Sequence, residues 1–369
     1  MTASAPTPAR PRRHAGFTLI ELMVALAIGL FLITVVGSLY VASRSIFFAT
    51  SSAASMDENA RAAFDAIGNS VRNARYDGCK GLSGTASGDI RGPNYNNTAN
   101  WWQNFNQPVF GFENLTANDT NFTVPAATSA YGGTIAGTDA LVLIGADLKH
   151  QATVNQSTIT SATAAVITTT LAHTYVPGET LIGSDCATTA YLVADGSTVS
   201  GNNQITYSRT AYDCNIDLAG TACADVATPR TLQPGALILP VIANGYFIAK
   251  SAAGDANKGN SLWLSTTDID LGGSSLAPVP LELVGGIENL HIEYGISNNN
   301  AINYFDANQV TNWTQVAALK VHLLLASQPD SRTASVGSNA ITFNGVNYPT
   351  AANDRRIYRE YVEVFSLRN

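Results

Sequence analysis

Charged residues are scarce in this sequence. They make up 13% of its 369 residues, about half of the share of about 25% that globular proteins usually have. The formal net charge is -7, so the chain also lacks the basic excess that marks a nucleic-acid-binding surface. Threonine, serine, asparagine, alanine and glycine take the place of charged residues. This composition is more typical of an exported, β-rich protein than of a cytosolic enzyme.

Sequence motifs of enzymes and metal sites are also missing. The chain contains no G-x-S-x-G turn, P-loop or H-E-x-x-H helix, which would supply a nucleophile, a phosphate cradle or a zinc site. It contains no C-x-x-C pair, and its five histidines lack metal-ligand spacing. The histidines are His14, His150, His173, His291 and His322. We therefore expect a protein that is not an enzyme and that has no catalytic residue, cofactor or metal.

Proline is absent from Phe17 to Arg91, which permits one long helix. The run from Leu22 to Ser43 carries no charge. At about 1.5 Å per residue it is long enough to cross a hydrocarbon core of about 30 Å. The segment therefore predicts a membrane-spanning helix over residues 17–43.

Beyond Ser43 the apolar residues become spaced at three or four positions, which predicts an amphipathic helix that packs one face on a folded body. Gly78 and Gly81 indicate that this helix ends near Arg75. The stripe includes Ile46, Phe47, Thr50, Ala53, Ala54, Met56, Ala60, Ala63, Phe64, Ile67, Val71 and Ala74. On the polar side, Asp57 and Arg61 have the spacing of a surface ion pair.

The residues around the start of the apolar run set its orientation. Arg10, Arg12 and Arg13 precede it, and the positive-inside rule keeps such a flank in the cytoplasm and sends the rest of the chain across the membrane. A secretory signal peptide would have a shorter apolar region followed by a small-residue cleavage site. A simple signal anchor leaves Glu21 unexplained, because a carboxylate in hydrocarbon costs at least about 2.5 kcal/mol and is usually paired.

The stretch GFTLIE, from Gly16 to Glu21, followed by LMVALAIG, resembles the class III signal of type IV prepilins and pseudopilins. This resemblance implies that a prepilin peptidase cleaves after Gly16, so that residues 1–16 are a leader, and that the new amine of Phe17 is methylated. It also implies that Glu21 forms an ion pair with the amine of Phe17 in a neighbouring subunit. The retained helix would be a membrane anchor first and part of a filament core later.

The rest of the chain, residues 76–369, is predicted to be an exported β-rich head behind a helix that covers residues 17–75. Short β-branched or aromatic runs bounded by turn residues predict strands that begin at Asp139, Ala164, Thr189, Gly235 and Ser261. No helix-length amphipathic run separates them, which favours antiparallel pairing. The expected fold class is α+β and pilin-like, with the long helix packed on an antiparallel sheet.

Two other stretches of the head are predicted to be loops. Residues 76–138 read as a long loop whose aromatic residues either anchor it to the body or line a binding surface. These residues are Trp101, Trp102, Phe105, Phe110 and Phe112. SNNNAINYFDANQ, from Ser297, reads as a polar hairpin loop.

The C-terminal third resembles the PilW family of minor pilins. LELVGGIENLHIEYGI from Leu281, NWTQVAALKVHLLLAS from Asn312 and RRIYREYVEVFSLRN from Arg355 carry this resemblance. It implies a structural minor pilin that helps to initiate type IV pilus assembly near the tip. The implied partners are other minor pilins, the major pilin, a tip adhesin and the inner-membrane assembly platform. The implied location is the inner membrane of a Gram-negative bacterium, with the head in the periplasm, and then the cell-surface pilus.

Two alternatives remain open at this point. A type II secretion pseudopilin, similar to GspJ, would share the signal and the helix, although GspJ proteins are usually much shorter. A tip module that binds a surface or DNA is the other alternative, and the acidic charge disfavours DNA.

All four cysteines, Cys79, Cys186, Cys214 and Cys223, would reach the oxidising side of the membrane. They allow three pairings. Cys214 and Cys223 could close a local loop, which leaves Cys79 to bridge to Cys186.

Overall fold

The architecture comes from a computed structural model. It describes residues 18–76, 78, 100–105, 107–116, 119–124, 133–160, 164–185, 189–208, 232–252, 259–273, 278–298, 301–328, 341–350 and 353–367. The chain divides into two compact units, Met1–Ser51 and Ser52–Asn369.

One long helix, α1, runs from Leu19 to Asn73 and contains 55 residues. Its sequence has no proline and is rich in leucine, alanine and methionine, which favour helix. The helix ends where the backbone leaves helical geometry, with positive φ angles at Arg75 and Gly78. The described part of the first unit consists of Thr18 and the beginning of α1.

The second unit contains the strands. In chain order they are β1 (Val109–Phe112), β2 (Ala140–Ala146), β3 (Ala152–Ile159), β4 (Ala164–Thr169), β5 (Thr180–Ser184), β6 (Thr189–Val193), β7 (Gln204–Ser208), β8 (Leu237–Lys250), β9 (Asn260–Thr266), β10 (Val279–Gly285), β11 (Ile287–Asn298), β12 (Ala301–Phe305), β13 (Val316–Ala326), β14 (Thr342–Phe343), β15 (Val346–Asn347) and β16 (Tyr358–Ser366).

Every strand pair among the described residues is antiparallel. A ten-stranded sheet is organised around β8, which pairs with β2, β3, β5 and β9. A four-stranded sheet has the order β12-β11-β13-β16, and β14 and β15 form a small hairpin. The predicted fold class, a long N-terminal helix with antiparallel sheet, is confirmed.

The main core lies between the sheets and the part of α1 that belongs to the second unit. The buried residues of α1 are Met56, Ala60, Ala63, Phe64, Ile67, Gly68 and Val71. They recur every three or four positions, so the predicted amphipathic stripe is confirmed from Met56 onward. Its first part is wrong, because Ile46, Phe47, Thr50 and Ala54 are exposed. Residues of both sheets complete the core, including Tyr246 of β8 and Val321 of β13. Burial of one large apolar side chain contributes about 1.5 to 3 kcal/mol, so this stripe holds the helix on the body.

The aromatic residues of the predicted long loop form a second core. Trp101, Trp102, Phe105 and Phe110 are buried and Phe112 is half-buried. Phe122 packs against Trp101 with ring centroids 5.2 Å apart. These side chains therefore anchor the segment, and the alternative prediction of an aromatic-lined binding surface is wrong. Within the described part of this region, β1 adds an edge strand to the larger sheet.

Two details of the C-terminal third differ from the predictions. The stretch LELVGGIENLHIEYGI forms two strands, β10 and β11, because Gly286 has a φ of 78° and breaks the extended backbone. The predicted hairpin loop contains a strand, β12, which pairs with β11. Ile302 and Tyr304 stand two positions apart, an alternation that favours a strand. The polar residues around them made this pattern hard to recognise in the sequence.

Candidate assembly site

Helix α1 begins with a side-chain cap. The backbone N–H of Glu21 donates to the Oγ1 of Thr18 at 3.3 Å, and the N–H of Leu22 donates to the carbonyl of Thr18 at 3.2 Å. A threonine in this position satisfies one of the N–H groups that a helix leaves unpaired, which is typically worth about 1 kcal/mol. Thr18 therefore fixes where the helix starts and which turn carries Glu21.

The carboxylate of Glu21 lies in the first turn of α1 and is exposed. A negative charge is favoured there, because the helix dipole places partial positive charge at the N-terminus. Within the described residues, this carboxylate has no hydrogen bond or ion pair. Gly16 and Phe17 lie outside the described residues, so the predicted cleavage site, methylation and ion pair remain predictions.

The first unit exposes a nearly continuous apolar surface along α1. Exposed large side chains recur from Leu19, at 77%, to Phe47, at 75%. An 18-residue window of this helix has a mean hydropathy of 2.7, and none of it is buried. By length and composition, α1 can therefore cross a membrane.

The second unit holds the other end of α1 through Arg75, which is buried. Its guanidinium donates to the carbonyls of Val316 and Trp313, both at 2.7 Å, and its backbone N–H donates to the carbonyl of Ile144 at 3.0 Å. Burial lowers the pKa of Arg75. The residue thus ties the end of the helix to the first residue of β13, to the segment before that strand and to β2.

Gly145 permits this close approach. A Cβ atom added at Gly145 would lie 2.0 Å from the carbonyl oxygen of Asn73, the last residue of α1. Ala74 forms an isolated antiparallel bridge with Gly145, and the N–H of Ala146 donates to the carbonyl of Tyr76 at 3.2 Å. Only glycine leaves room for the end of α1 to form this bridge with β2.

A polar network fixes the middle of the packed half of α1. The hydroxyl of Tyr246 lies 2.7 Å from the Oγ of Ser70 and donates to the carbonyl of Ala66 at 2.9 Å. Asn244 donates to Ser70 at 2.9 Å. Burial raises the pKa of Tyr246 to about 12, so its hydroxyl stays protonated and available as a donor. These bonds fix the rotation of α1 against β8.

Strand β16 holds the exposed side of the same helix segment. Asp57 accepts from Arg359 at 3.1 Å and from the hydroxyl of Tyr361 at 2.5 Å. Burial and the hydrogen bond with Asp57 raise the pKa of Tyr361 to about 12. Phe365 packs on Phe64 with ring centroids 6.3 Å apart. Asp57 therefore contacts the last strand, and its partner is not Arg61, as its spacing had indicated.

Two histidines lie side by side on the outer face of the four-stranded sheet, which is the face opposite to the one that packs against α1. His291 of β11 and His322 of β13 are directly opposite each other, with ring centroids 5.8 Å apart. The Nδ1 of His291 is 2.9 Å from Asp139, and the Nδ1 of His322 is 2.8 Å from Glu360. The Nε2 of His322 is 3.2 Å from Glu293. The arrangement is a network of histidines and carboxylates that links three strands and the residue before β2.

The charges of this network perturb each other. Burial lowers the pKa of His291, but the hydrogen bond and charge of Asp139, with the charges of Asp306 and Glu293, outweigh it, so that the pKa is raised. Burial raises the pKa of Glu293, but hydrogen bonds from Lys320 and His322 outweigh it and lower the pKa. Among the residues that the structure describes, no group of three or more histidine, cysteine or acidic side chains could hold a metal ion.

Two family models match the chain. The prokaryotic N-terminal methylation motif matches residues 11–37. Type IV pilus-assembly protein W, PilW, matches residues 245–369, which run from the second half of β8 to the C-terminus. The chain is a type IV pilin-like protein with a PilW domain. The resemblances seen in GFTLIE and in the C-terminal third are confirmed by these matches.

One solved structure of a pilin-like protein also resembles part of this chain. A type IV-like pilin, TTHA1219 from Thermus thermophilus, is 16% identical, and the match covers 52% of this chain and 84% of that chain with a TM-score of 0.21. No curated protein matches the sequence. The prepilin motif and the apolar helix together indicate a membrane-anchored pilin.

Sequence reasoning missed two residues of this pilin-like chain. Thr18 stands three residues before Glu21, and the pattern [ST]-x-x-[DE] before an apolar run is a helix-start signal that identifies it. Arg75 had no such signal, because its partners lie 238 and 241 residues away. The four cysteines, Cys79, Cys186, Cys214 and Cys223, lie outside the described residues, so the pairing Cys79–Cys186 and Cys214–Cys223 stays a prediction.

Proposed function

We propose that this chain is a minor pilin of a type IV pilus, which helps to start pilus assembly and is incorporated at or near the tip. The observation that supports this most is the exposed apolar half of α1, with Glu21 as the first carboxylate of the helix. The match of the last third to PilW favours a pilus over a secretion pseudopilus. In this role the chain supports motility or adhesion and has no enzymatic activity.

The proposed path begins with a precursor that spans the inner membrane of a Gram-negative bacterium once, with its head in the periplasm. A prepilin peptidase removes residues 1–16, which leaves Phe17 with a new amine that is then methylated. The mature subunit then joins other minor pilins, the major pilin and a tip adhesin at the inner-membrane assembly platform. The apolar side chains between Leu19 and Phe47 exchange lipid for neighbouring helices.

The proposed role of Glu21 is to set the axial register between subunits. In the precursor its carboxylate has no cation beside it at position 17, since that amine is still part of a peptide bond. Cleavage creates the cation on each subunit. A misaligned apolar helix loses little, whereas an unpaired buried charge costs several kcal/mol, so the ion pair selects one alignment.

Replacement of Glu21 tests this role. We expect Glu21→Gln and Glu21→Ala to be processed normally but to enter filaments at least about tenfold less, because about 1.4 kcal/mol corresponds to tenfold and the lost pair is worth more. The measurement is immunoblotting of sheared filaments and of membranes. Glu58→Gln is the matched control, because Glu58 is an exposed glutamate of the same helix outside the apolar segment. Normal incorporation of both Glu21 variants would show that the register role is wrong.

Deletion of the gene separates a pilus from a secretion pseudopilus. We expect fewer surface pili and lost twitching with secretion unchanged, because the proposed subunit is needed to start the filament. Electron microscopy of pili, together with an assay of secreted proteins, measures both. Normal piliation with a secretion defect would favour the pseudopilin.

A further inference from the structure

The four-stranded sheet ends in two edge strands, β12 and β16, and β16 differs from the other described edges. Proteins protect free edges with short strands, prolines, lysines or bulges. Strand β1 has four residues, β6 and β7 have five each, and β10 contains Pro280 and a register shift between Glu282 and Val284. Strand β16 has nine residues, no proline or lysine, and regular pairing with β13. Its charged residues are Arg359 and Glu360 near its beginning and Glu363, which alternates with the strand's two valines and so lies on the other face of the sheet.

The hydrogen-bond pattern shows which backbone groups of β16 lie at its free side. The N–H of Leu367 donates to Ala317 at 2.9 Å, and the N–H of Ser327 donates to Ile357 at 2.8 Å. Bonding alternates along an antiparallel pair, so odd-numbered residues of β16 bond to β13 and even-numbered residues turn their N–H and C=O outward. These even-numbered residues include Val362 and Val364, whose side chains are 47% and 53% exposed.

The exposed valines share a face with the apolar residues of β12. Val364 lies opposite Lys320, which lies opposite Glu293, and the same face continues to Ile302 and Tyr304. Ile302 is 48% exposed. Residues of the opposite face, such as Leu319 and Val321 of β13, pack in the core with α1. The sheet thus has an apolar position at each end of its outer face.

Among the residues that the structure describes, the other contacts leave this part of β16 uncovered. The hairpin of β14 and β15 lies at the beginning of β16, where Tyr348 packs on Tyr358 and the N–H of Asn344 donates to Glu360 at 3.1 Å. The next outward-facing positions, Val362 and Val364, remain exposed. The open edge is therefore about as long as the five residues of β12.

The two edges run in opposite directions. Strand β12 is antiparallel to β11, β11 to β13, and β13 to β16. When two copies share one orientation, as subunits of a polar filament do, β16 of one copy is antiparallel to β12 of the next. Antiparallel addition of a strand to a free edge is a common mode of protein recognition.

We propose that β16 of one copy pairs with β12 of a second copy, so that Ile302 lies beside Val364 and Tyr304 beside Val362. The contact is head-to-tail, so it does not close into a symmetric dimer. Because adjacent strands in a sheet are rotated by about 20 to 25°, copies joined in this way wind around an axis. The inference goes beyond the proposed function, because it concerns the head and holds whether or not Glu21 sets the register.

Crosslinking of full-length chains in cells tests the pairing. One tagged copy carries Ile302→Cys, a differently tagged copy carries Val364→Cys, and a short bismaleimide joins cysteines that lie close together. We expect a crosslinked dimer at a yield at least about tenfold above that of the pair Ile302→Cys and Val346→Cys, because directly paired residues have Cβ atoms about 5 Å apart. Val346 is the matched control, since it is an exposed valine outside both edges.

A proline variant separates strand pairing from simple proximity. Val362→Pro in the copy with Val364→Cys removes an outward N–H but no hydrogen bond to β13, and should abolish the crosslink. Val362→Thr keeps the N–H and should retain the crosslink, and Val362→Lys should weaken it without loss of folded protein. A yield equal to the Val346 control, or a crosslink that survives both Val362→Pro and Val362→Lys, would overturn the proposal. A crosslink to another pilin in place of the second copy would overturn it as well.

Discussion

Glu21 shows how far a sequence motif can specify a single residue. Its spacing from Gly16 and Phe17 predicts an ion pair with a neighbouring amine, and this role stays a prediction because both residues lie outside the described part of the chain. The structure adds Thr18 as the cap that positions the turn. Asp57 shows the opposite case. Its helical spacing indicated Arg61, but Arg359 and Tyr361 bind it from 302 and 304 residues away. A local rule cannot anticipate such partners.

The histidine network makes the stability of the folded chain depend on pH. The pKa of His291 is raised above its ordinary value of 6.5 in the folded chain. Protonated His291 therefore stabilises the fold below about pH 6.5, and this contribution is lost as the pH rises through the folded pKa. His150 has a raised pKa as well, mainly through its hydrogen bond to Asp147, so it changes stability in the same direction.

We expect the free energy of unfolding to fall as the pH rises above about 6.5, because the folded pKa of His291 is raised above that value. The fall should be smaller in His291→Gln, which has no titrating ring. Denaturant unfolding of the detergent-solubilised protein at several pH values measures this. His150→Gln provides a comparison at a second site with the same sign. A pH dependence in His291→Gln that equals that of the wild type would contradict the assignment.

At the scale of elements, α1 was the most predictable part of the chain. A run without proline or charge, followed by a 3.6-residue stripe, indicated the helix and its buried face. The strands of β2, β8 and β9 were also recognisable from β-branched and aromatic runs. Strand β12 was not, because five residues between asparagines carry little pattern. The break at Gly286 was missed because two glycines within an apolar run do not reveal which one takes a positive φ.

The junction of α1 with β2 can be tested by one added methyl group. We expect Gly145→Ala to lower the free energy of unfolding by about 1 to 3 kcal/mol, because the new Cβ meets the carbonyl of Asn73 at 2.0 Å. Thermal unfolding followed by circular dichroism measures the loss. Gly196→Ala is the control, since that glycine has open space around it and no positive φ. Equal stability of the two variants would mean that the helix end does not need this approach.

At the scale of the whole molecule, the sequence specified the fold class but not the order of the strands. The signal at Gly16 and the apolar run indicated an anchor and an exported head, and the methylation-motif match confirms the signal. The ten-stranded sheet pairs β8 with both β2 and β3, and such non-local pairings depend on cooperative packing that short patterns do not encode. The two free edges of the smaller sheet became apparent only once that order was known.

The central claim is that this chain is a processed pilin subunit, and mass spectrometry of sheared, purified surface filaments tests it most directly. The claim predicts a filament-bound protein whose N-terminal peptide begins at methylated Phe17. A protein that keeps residues 1–16 and is found in membranes but never in filaments would contradict it.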